Sequence, residues 1–323
     1  MIRTSLTSFA VLLALAVPHK ALAFTAYVSN EKGNSISVID TDKLDVTKTL
    51  HVGQRPRGIA LSPDGSELFV CASDDDTIQV IDTKTLQITG ELDSGPDPEL
   101  LIVSPDGKLV YTSNENDNLV TAIDVATHKR VFDIPVGVEP EGMAVSPDGK
   151  MLVNTSETTN MAHLIDIDSR KIVANILLDP RPRFAQFTPD GSELWVSSEV
   201  GGTVAVIDPK THTVKQKIGF DIPGLTKEAI QAVGINFTAD GKTAFVALGP
   251  ANRVAVIDQA TKKVVKYLLV GQRVWHMAFT PDGKYLYTAN GVSNDVSVID
   301  VAALKVIKSI PVGSFPWGVA IGK

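Results

Sequence analysis

Residues 58–92, GIALSPDGSELFVCASDDDTIQVIDTKTLQITGEL, decide the fold. The segment holds four short runs rich in Val, Ile, Leu and Thr, which are separated by Pro63-Asp64-Gly65, by three Asp residues and by Thr83-Lys84-Thr85. Such runs between turn residues are typical of short strands joined by tight turns, and none fits a helix. The segment therefore predicts four antiparallel strands within about 40 residues.

The same pattern recurs along the chain. The turn SPDG or a near copy places its Asp at positions 64, 106, 148, 190, 240 and 282, a spacing of 42 residues with one exception of 50. The run Val-Ile-Asp or a near copy places its Asp at positions 40, 82, 124, 166, 208, 258 and 300. Seven units of four antiparallel strands predict an all-β fold, a seven-bladed β-propeller.

The two ends of the chain predict how the ring closes. Six SPDG turns against seven Val-Ile-Asp runs mean that one unit is cut between its first and second strands. Residues 318–321 match the innermost strand of the other units, and residues 27–51 match the three outer strands. We expect the N-terminal outer strands and the C-terminal inner strand to pair and to cover the open sheet edges. Blades are numbered by their inner strand, so this composite is blade 7.

Residues 1–23 have the pattern of a secretory signal peptide. Arg3 precedes the apolar run 9–17, and Ala21-Leu22-Ala23 provides a small-residue cleavage site before Phe24. The apolar run is far shorter than the roughly 20 residues that cross a bilayer. We expect a propeller over 24–323 that is periplasmic or secreted and has no membrane span; an uncleaved anchor is the alternative. The oligomeric state is not predicted.

Charge and cysteine content exclude several function classes. The chain has 30 Lys and Arg against 37 Asp and Glu, a net charge of −7, which argues against nucleic-acid binding. Its single cysteine, Cys71, excludes internal disulfides and Cys-rich zinc or iron–sulfur sites.

The second strands of several units point to a known family. Residues 27–30 (YVSN), 111–114 (YTSN) and 287–290 (YTAN) resemble the YVTN-type propeller repeat. Seven such repeats behind a signal peptide resemble the β-propeller family associated with pyrroloquinoline quinone (PQQ)-dependent catabolism. The resemblance implies an exported accessory of alcohol oxidation whose partner is a quinoprotein dehydrogenase or a transport component. PQQ would then belong to the partner, and no cofactor is expected in this chain.

Candidate site residues lie where the repeats differ, in the connections that lead into the inner strands and rim the channel. The regular Asp of each Val-Ile-Asp run is instead explained by a turn. Counting back nine and seven residues from the SPDG Asp gives one pair per blade: Arg55 and Arg57, Asp97 and Glu99, Glu139 and Glu141, Arg181 and Arg183, Gln231 and Val233, Arg273 and Trp275, Phe315 and Trp317.

Two interpretations of this rim stay open. In the functional one, a ligand or partner contacts charged residues on one side and aromatic residues on the other, because Trp and Arg commonly anchor interfaces. The residues predicted to bind are Arg55, Arg57, Glu99, Glu141, Arg183, Arg273, Trp275, His276, Phe315 and Trp317. In the structural one, Arg57 with Glu99 and Glu141 with Arg183 are ion pairs between blades, and the tryptophans only pack.

The rim carboxylates are also the cluster that acid–base catalysis would need. They lie beside arginines on two adjacent blades, which favours ion pairs over a metal or a catalytic pair, and no catalytic or metal-binding residue is assigned. We expect a non-catalytic binding or assembly accessory. The alternatives are a lactonase-type hydrolase that uses the rim carboxylates and a cell-surface or nucleic-acid-binding propeller.

Overall fold

The computed structural model describes residues 24–323. The predicted signal peptide, residues 1–23, lies outside the described residues. No helix in the described part of the chain is long and apolar enough to cross a membrane.

Residues 24–323 form 28 strands in seven four-stranded antiparallel sheets. In chain order the strands are β1 (Thr25–Asn30), β2 (Ser35–Asp40), β3 (Asp45–His51), β4 (Pro56–Leu61), β5 (Glu67–Ala72), β6 (Thr77–Asp82), β7 (Gln87–Leu92), β8 (Pro98–Val103), β9 (Leu109–Asn114), β10 (Leu119–Asp124), β11 (Lys129–Pro135), β12 (Pro140–Val145), β13 (Met151–Ser156), β14 (Met161–Asp166), β15 (Lys171–Leu177), β16 (Pro182–Phe187), β17 (Leu194–Ser198), β18 (Thr203–Asp208), β19 (Thr213–Gly219), β20 (Ile235–Phe237), β21 (Thr243–Ala247), β22 (Arg253–Asp258), β23 (Lys263–Leu269), β24 (Val274–Phe279), β25 (Tyr285–Asn290), β26 (Asp295–Asp300), β27 (Lys305–Pro311) and β28 (Pro316–Gly322). Single 3₁₀ turns lie at Ser73–Asp75 and Lys227–Ala229. The predicted seven-bladed propeller is confirmed.

The ring closes as predicted. The sheet of blade 7 has the order β28-β1-β2-β3, so the last strand of the chain pairs with the first. Thr25 is opposite Gly322 and Val28 is opposite Val319. Each inner strand contacts the inner strands of the next blades, from β4 through β28 and back to β4. Closure therefore gives β1 a paired neighbour on both sides, β28 and β2.

Blades 1 to 6 each have two kinds of turn on one side of the ring, which we call the turn face; blade 7 has only the second kind, because β28 and β1 are the two ends of the propeller. In the SPDG turn, the Asp64 carboxylate accepts hydrogen bonds from the Ser62 hydroxyl (2.6 Å) and the Ser66 N–H (3.0 Å), which lower the pKa of Asp64 to about 2. At the end of β6, Asp82 accepts the Thr85 N–H at 2.6 Å. These Asp residues therefore stabilise turns, as the sequence predicted.

The other side of the ring, which we call the mouth face, holds the loops between second and third strands and the connections between blades. The one long unit places its extra residues, 221–228, on this face. Ile222 and Ile230 are buried beside Phe220 in the core between blades 4 and 5, and Tyr267 Oη accepts the Asp221 N–H at 3.1 Å. The insertion is therefore anchored at both ends.

Candidate functional site

Seven side chains from equivalent positions surround the channel axis near the mouth. We call this set the mouth ring: Arg57, Glu99, Glu141, Arg183, Val233, Trp275 and Trp317. The three most buried charged members are Glu99, Glu141 and Arg183, which are 0%, 2% and 4% exposed. Charged side chains are rarely buried to this extent unless they are paired.

The residue two positions before each mouth-ring residue forms a second layer, the outer ring. Six of its seven members have left-handed backbone, with φ between 52° and 61°. In each of these six, the N–H is accepted by an Asn or Asp side chain 21 residues earlier, as in Arg55 with Asn34 (3.1 Å) and Arg273 with Asn252 (2.8 Å). This bond fixes a costly backbone conformation at the mouth, a feature common at functional sites.

Blades 1 and 2 form one ion-pair cluster. Arg55 contacts Asp97 and Glu99, each at 2.6 Å, and Arg57 donates a hydrogen bond to Glu99. Arg57 also contacts Glu31 at 3.2 Å. Although burial favours its neutral form, Arg57 and Arg55 lower the pKa of Glu99. Glu99 is therefore held ionised by two guanidinium groups.

Blades 3 and 4 form a second cluster around Arg183. Its guanidinium contacts Glu157 at 2.6 Å and both Glu141 and Glu199 at 3.3 Å. Burial and the nearby charges of Glu99 and Glu157 raise the pKa of Glu141 well above its ordinary range, against the pull of Arg183. The structure thus contains the two inter-blade pairs of the structural interpretation, Arg57 with Glu99 and Arg183 with Glu141.

Four acidic residues of these clusters were not found by sequence reasoning. Each directly follows the second strand of its blade: Glu31, Glu115, Glu157 and Glu199. The remaining blades carry Ser73, Gly249 and Gly291 at this position. The sequence does contain a signal for these four residues. Counting positions across the repeats, which identified the mouth ring and the outer ring, also aligns them.

Glu115 places a carboxyl oxygen within 4.8 Å of one of Glu99. Burial, the hydrogen bond with Glu99 and the charge of Glu99 raise the pKa of Glu115 to about 8. The two carboxyl groups therefore share a proton at neutral pH, with the proton on Glu115 and the charge on Glu99.

Asp97, Glu99 and Glu115 bring one oxygen each within 4.8 Å of one another, a spacing that a metal ion could use. Two of them already pair with Arg55 and Arg57, and Glu115 is neutral at pH 7. A cation would have to displace both guanidinium groups, so these residues do not fit a metal site.

Three larger side chains pack together beneath the mouth ring, and we call them the plug. Leu100, Phe184 and His276 follow the mouth-ring residues of blades 2, 4 and 6, and the other four blades have glycine at this position. A Cβ on Gly234 would lie 2.8 Å from the Trp275 carbonyl oxygen, so the backbones approach closely where side chains are absent. The His276 ring lies 5.2 Å from Phe184 and 4.2 Å from Trp317, measured between centroids.

The two tryptophans lie under arginines and not at the surface. Trp275 is 8% exposed and Trp317 is 1% exposed. The guanidinium carbon of Arg273 lies 4.5 Å from the centre of the Trp275 ring, and that of Arg57 lies 5.6 Å from Trp317. The expected aromatic binding surface is therefore covered, because cation–π contacts hold the guanidinium groups over the indoles. Phe315 is half-buried, with the Lys32 ammonium 3.8 Å from its ring.

Two family models match parts of the chain. The model described as lactonase, 7-bladed beta-propeller, matches residues 180–305, and the cytochrome D1 heme domain model matches residues 63–166. No protein with a curated description matches. The chain is thus a seven-bladed propeller similar in parts to both families. Neither match is to the PQQ-associated family, which stays a prediction.

Several solved structures share the whole fold. Hydrazine synthase of Kuenenia stuttgartiensis is 25% identical, with a TM-score of 0.78 over 86% of this chain and 92% of that chain. A putative 6-phosphogluconolactonase of Bacteroides uniformis is 16% identical, with a TM-score of 0.77 over 93% and 99%. The dihydro-heme d1 dehydrogenase NirN, in complex with DHE, is 18% identical, with a TM-score of 0.70 over 91% and 74%.

The residues matched by the heme-domain model do not fit a haem ligand set. That segment contains His128, in a turn on the turn face, and His163, which bonds to Asn175 (2.6 Å) and Ser156 (3.0 Å). His276 lies near the mouth but is buried in the plug. None of these three offers an accessible ring nitrogen at the mouth.

Proposed function

We propose that the chain is a non-catalytic propeller whose mouth face binds a partner protein. The observation that carries this proposal is the position of its exposed apolar side chains. Of eleven large hydrophobic side chains exposed within residues 24–323, six lie in mouth-face loops or at the mouth end of outer strands: Val138, Leu177, Val200, Leu225, Leu269 and Val292. The other five lie along outer strands. Exposed apolar side chains on four neighbouring blades make the mouth face the candidate protein-binding surface.

The ion pairs support a non-catalytic role. A general base must be free to accept a proton from the reacting molecule. Asp97, Glu99, Glu157 and Glu199 instead each contact at least one arginine. The same contacts fix the mouth connections between blades, which gives a partner a rigid surface to bind.

The system in which the protein acts is proposed from the family resemblance. The chain would be an exported accessory of PQQ-dependent alcohol catabolism, periplasmic or secreted. Its partner would be a quinoprotein dehydrogenase or a transport component, and that partner would carry any quinone cofactor.

Affinity capture from periplasmic extract, followed by mass spectrometry, tests the proposal. Val200→Glu combined with Leu225→Glu places two charges among the exposed apolar groups of the mouth face. Val173→Glu, on an outer strand and comparably exposed, is the matched control. We expect wild type and the control to retain a dehydrogenase or transport component and the double variant to lose it. Equal capture by all three proteins contradicts the proposal.

A lactonase-type hydrolase is the second candidate, because the lactonase model matches residues 180–305. Glu115 is the residue best suited to donate a proton, since its pKa of about 8 keeps it neutral at pH 7 beside ionised Glu99. A lactone-hydrolysis assay separates the candidates. Turnover that Glu115→Gln abolishes favours the hydrolase, and absence of turnover in wild type favours the binding role.

A further inference from the structure

Three arginines from blades 4 and 6 converge on one carboxylate at the mouth. Glu199 Oε2 lies 3.2 Å from Arg181 Nε and 3.3 Å from Arg183 Nη1, and Glu199 Oε1 lies 3.1 Å from Arg273 Nη2. Glu157 also contacts Arg181 (2.8 Å) and Arg183 (2.6 Å). Three guanidinium groups therefore share two closely placed carboxylates.

Many N–H donors of these arginines have no acceptor within residues 24–323. A guanidinium group has five N–H donors. Arg181 contacts its acidic neighbours only through Nε, and Arg273 only through Nη2. Arg183 Nε is buried and has no hydrogen-bond partner in the described structure. Arg181 and Arg273 remain 48% and 32% exposed, so their free donors can be reached from solvent.

Blade 5, which lies between these arginines, lacks the residues that neutralise charge in its neighbours. It carries Gln231 in the outer ring, Val233 in the mouth ring and Gly249 where blade 4 has Glu199. The Glu199–Arg273 contact therefore spans a blade without charged side chains at these three positions.

Burial weakens the acidity of the carboxyl groups that face these arginines. Burial, with the charges of Glu99 and Glu157, raises the pKa of Glu141 well above its ordinary range. Burial, with the charges of Glu199 and Glu139, also raises the pKa of Glu157. Arginine binds carboxylate and phosphate groups well because its planar N–H donors match two oxygens at once.

We propose that Arg181, Arg183 and Arg273 form a binding site for a small molecule that bears one oxyanion group, a carboxylate or a phosphate. Arg181 and Arg273 meet the oxyanion at the surface, and the Nε–H of Arg183 lies beneath them. Arg181 and Val200 line the same surface cavity, so this site lies beside the apolar side chains of the mouth face. Its test uses other variants and small-molecule probes, so its result does not depend on partner binding.

NMR line broadening of ¹³C-acetate and of inorganic phosphate tests the site on the full chain, with ¹³C-glycerol as the neutral control. The variants are Arg181→Gln and Arg273→Gln, and the matched control is Arg170→Gln, an exposed arginine on the turn face. Thermal unfolding of each variant verifies that it is folded.

We expect at least one of the two oxyanions to bind wild type and Arg170→Gln, and each mouth variant to weaken binding about tenfold or more. The probe that binds more tightly identifies the group as a carboxylate or a phosphate. The proposal is overturned if neither oxyanion binds, if glycerol binds equally well, or if the mouth variants bind as tightly as Arg170→Gln.

Discussion

His276 packs against Trp317 at the centre of the plug, with ring centroids 4.2 Å apart. Neither ring nitrogen of His276 has a hydrogen-bond partner in the described structure. Burial, together with the positive charges of Arg183 and Arg57, lowers the pKa of His276 to about 3. The imidazole is therefore neutral in the folded protein, and it packs in the channel as an aromatic ring.

Replacing His276 by Phe should flatten the acid dependence of stability. In the unfolded chain the pKa of His276 is near 6.5, so the unfolded chain takes up this proton first as the pH falls. The contribution of neutral His276 is full above pH 6.5 and is lost as the pH falls toward 3, by up to about 1.4 kcal/mol per pH unit. Guanidinium unfolding at pH 7 and at roughly pH 4.5 measures it. Equal losses of unfolding free energy in wild type and variant contradict the prediction.

Deleting residues 316–323 should open the ring. The deletion removes β28, leaves β1 without its neighbour and removes buried Trp317. Because each blade is stabilised by the faces of its neighbours, we expect a large fall in the thermal unfolding midpoint. Deletion of Lys323 alone, an exposed residue after β28, is the control and should leave the midpoint unchanged. An unchanged midpoint in the longer deletion shows that closure does not stabilise the fold.

The fold could be predicted from the sequence because a propeller repeats the same four-strand pattern seven times. The 42-residue period fixed the blade count, and the unequal numbers of the two signatures located the closure between β1 and β28. The same counting placed Arg57, Glu99 and Arg183 at the mouth, since equivalent positions in a closed ring face the same axis.

The features of the site that could not be predicted from the sequence depend on contacts between blades. The pairing of Arg273 with Glu199 crosses 74 residues of sequence and a whole blade. Trp317 is buried between His276 and Arg57, and a count of aromatic residues cannot show that cover. Spacing identifies which residues share a layer, but the partner of each charge is decided by side-chain geometry.

Replacing Arg183 by Met should destabilise the protein strongly. The change keeps much of the side-chain volume but leaves Glu141, Glu157 and Glu199 without this guanidinium. Breaking a buried ion pair from one side typically costs about 3–5 kcal/mol. The control is Lys217→Met, which breaks an exposed pair with Asp179 worth about 0–1 kcal/mol. Chemical denaturation of both variants decides the matter, and similar losses would argue that the mouth cluster does not stabilise the ring.

Replacing Glu115 by Gln should reduce the loss of stability between about pH 5 and pH 8. The pKa of Glu115 is about 8 in the folded protein, whereas an unperturbed glutamate has a pKa near 4.3, so the folded state holds a proton that the unfolded chain has lost. Between these two values the free energy of unfolding therefore falls as the pH rises. Glutamine keeps an N–H donor toward Glu99 but cannot ionise, so the variant should lose less stability than wild type from pH 5 to pH 8. Urea unfolding at both pH values provides the comparison, and infrared spectra should show less absorption by protonated carboxyl groups in Glu115→Gln than in wild type. A variant with the same pH dependence and the same carboxyl absorption as wild type would place the proton on a residue other than Glu115.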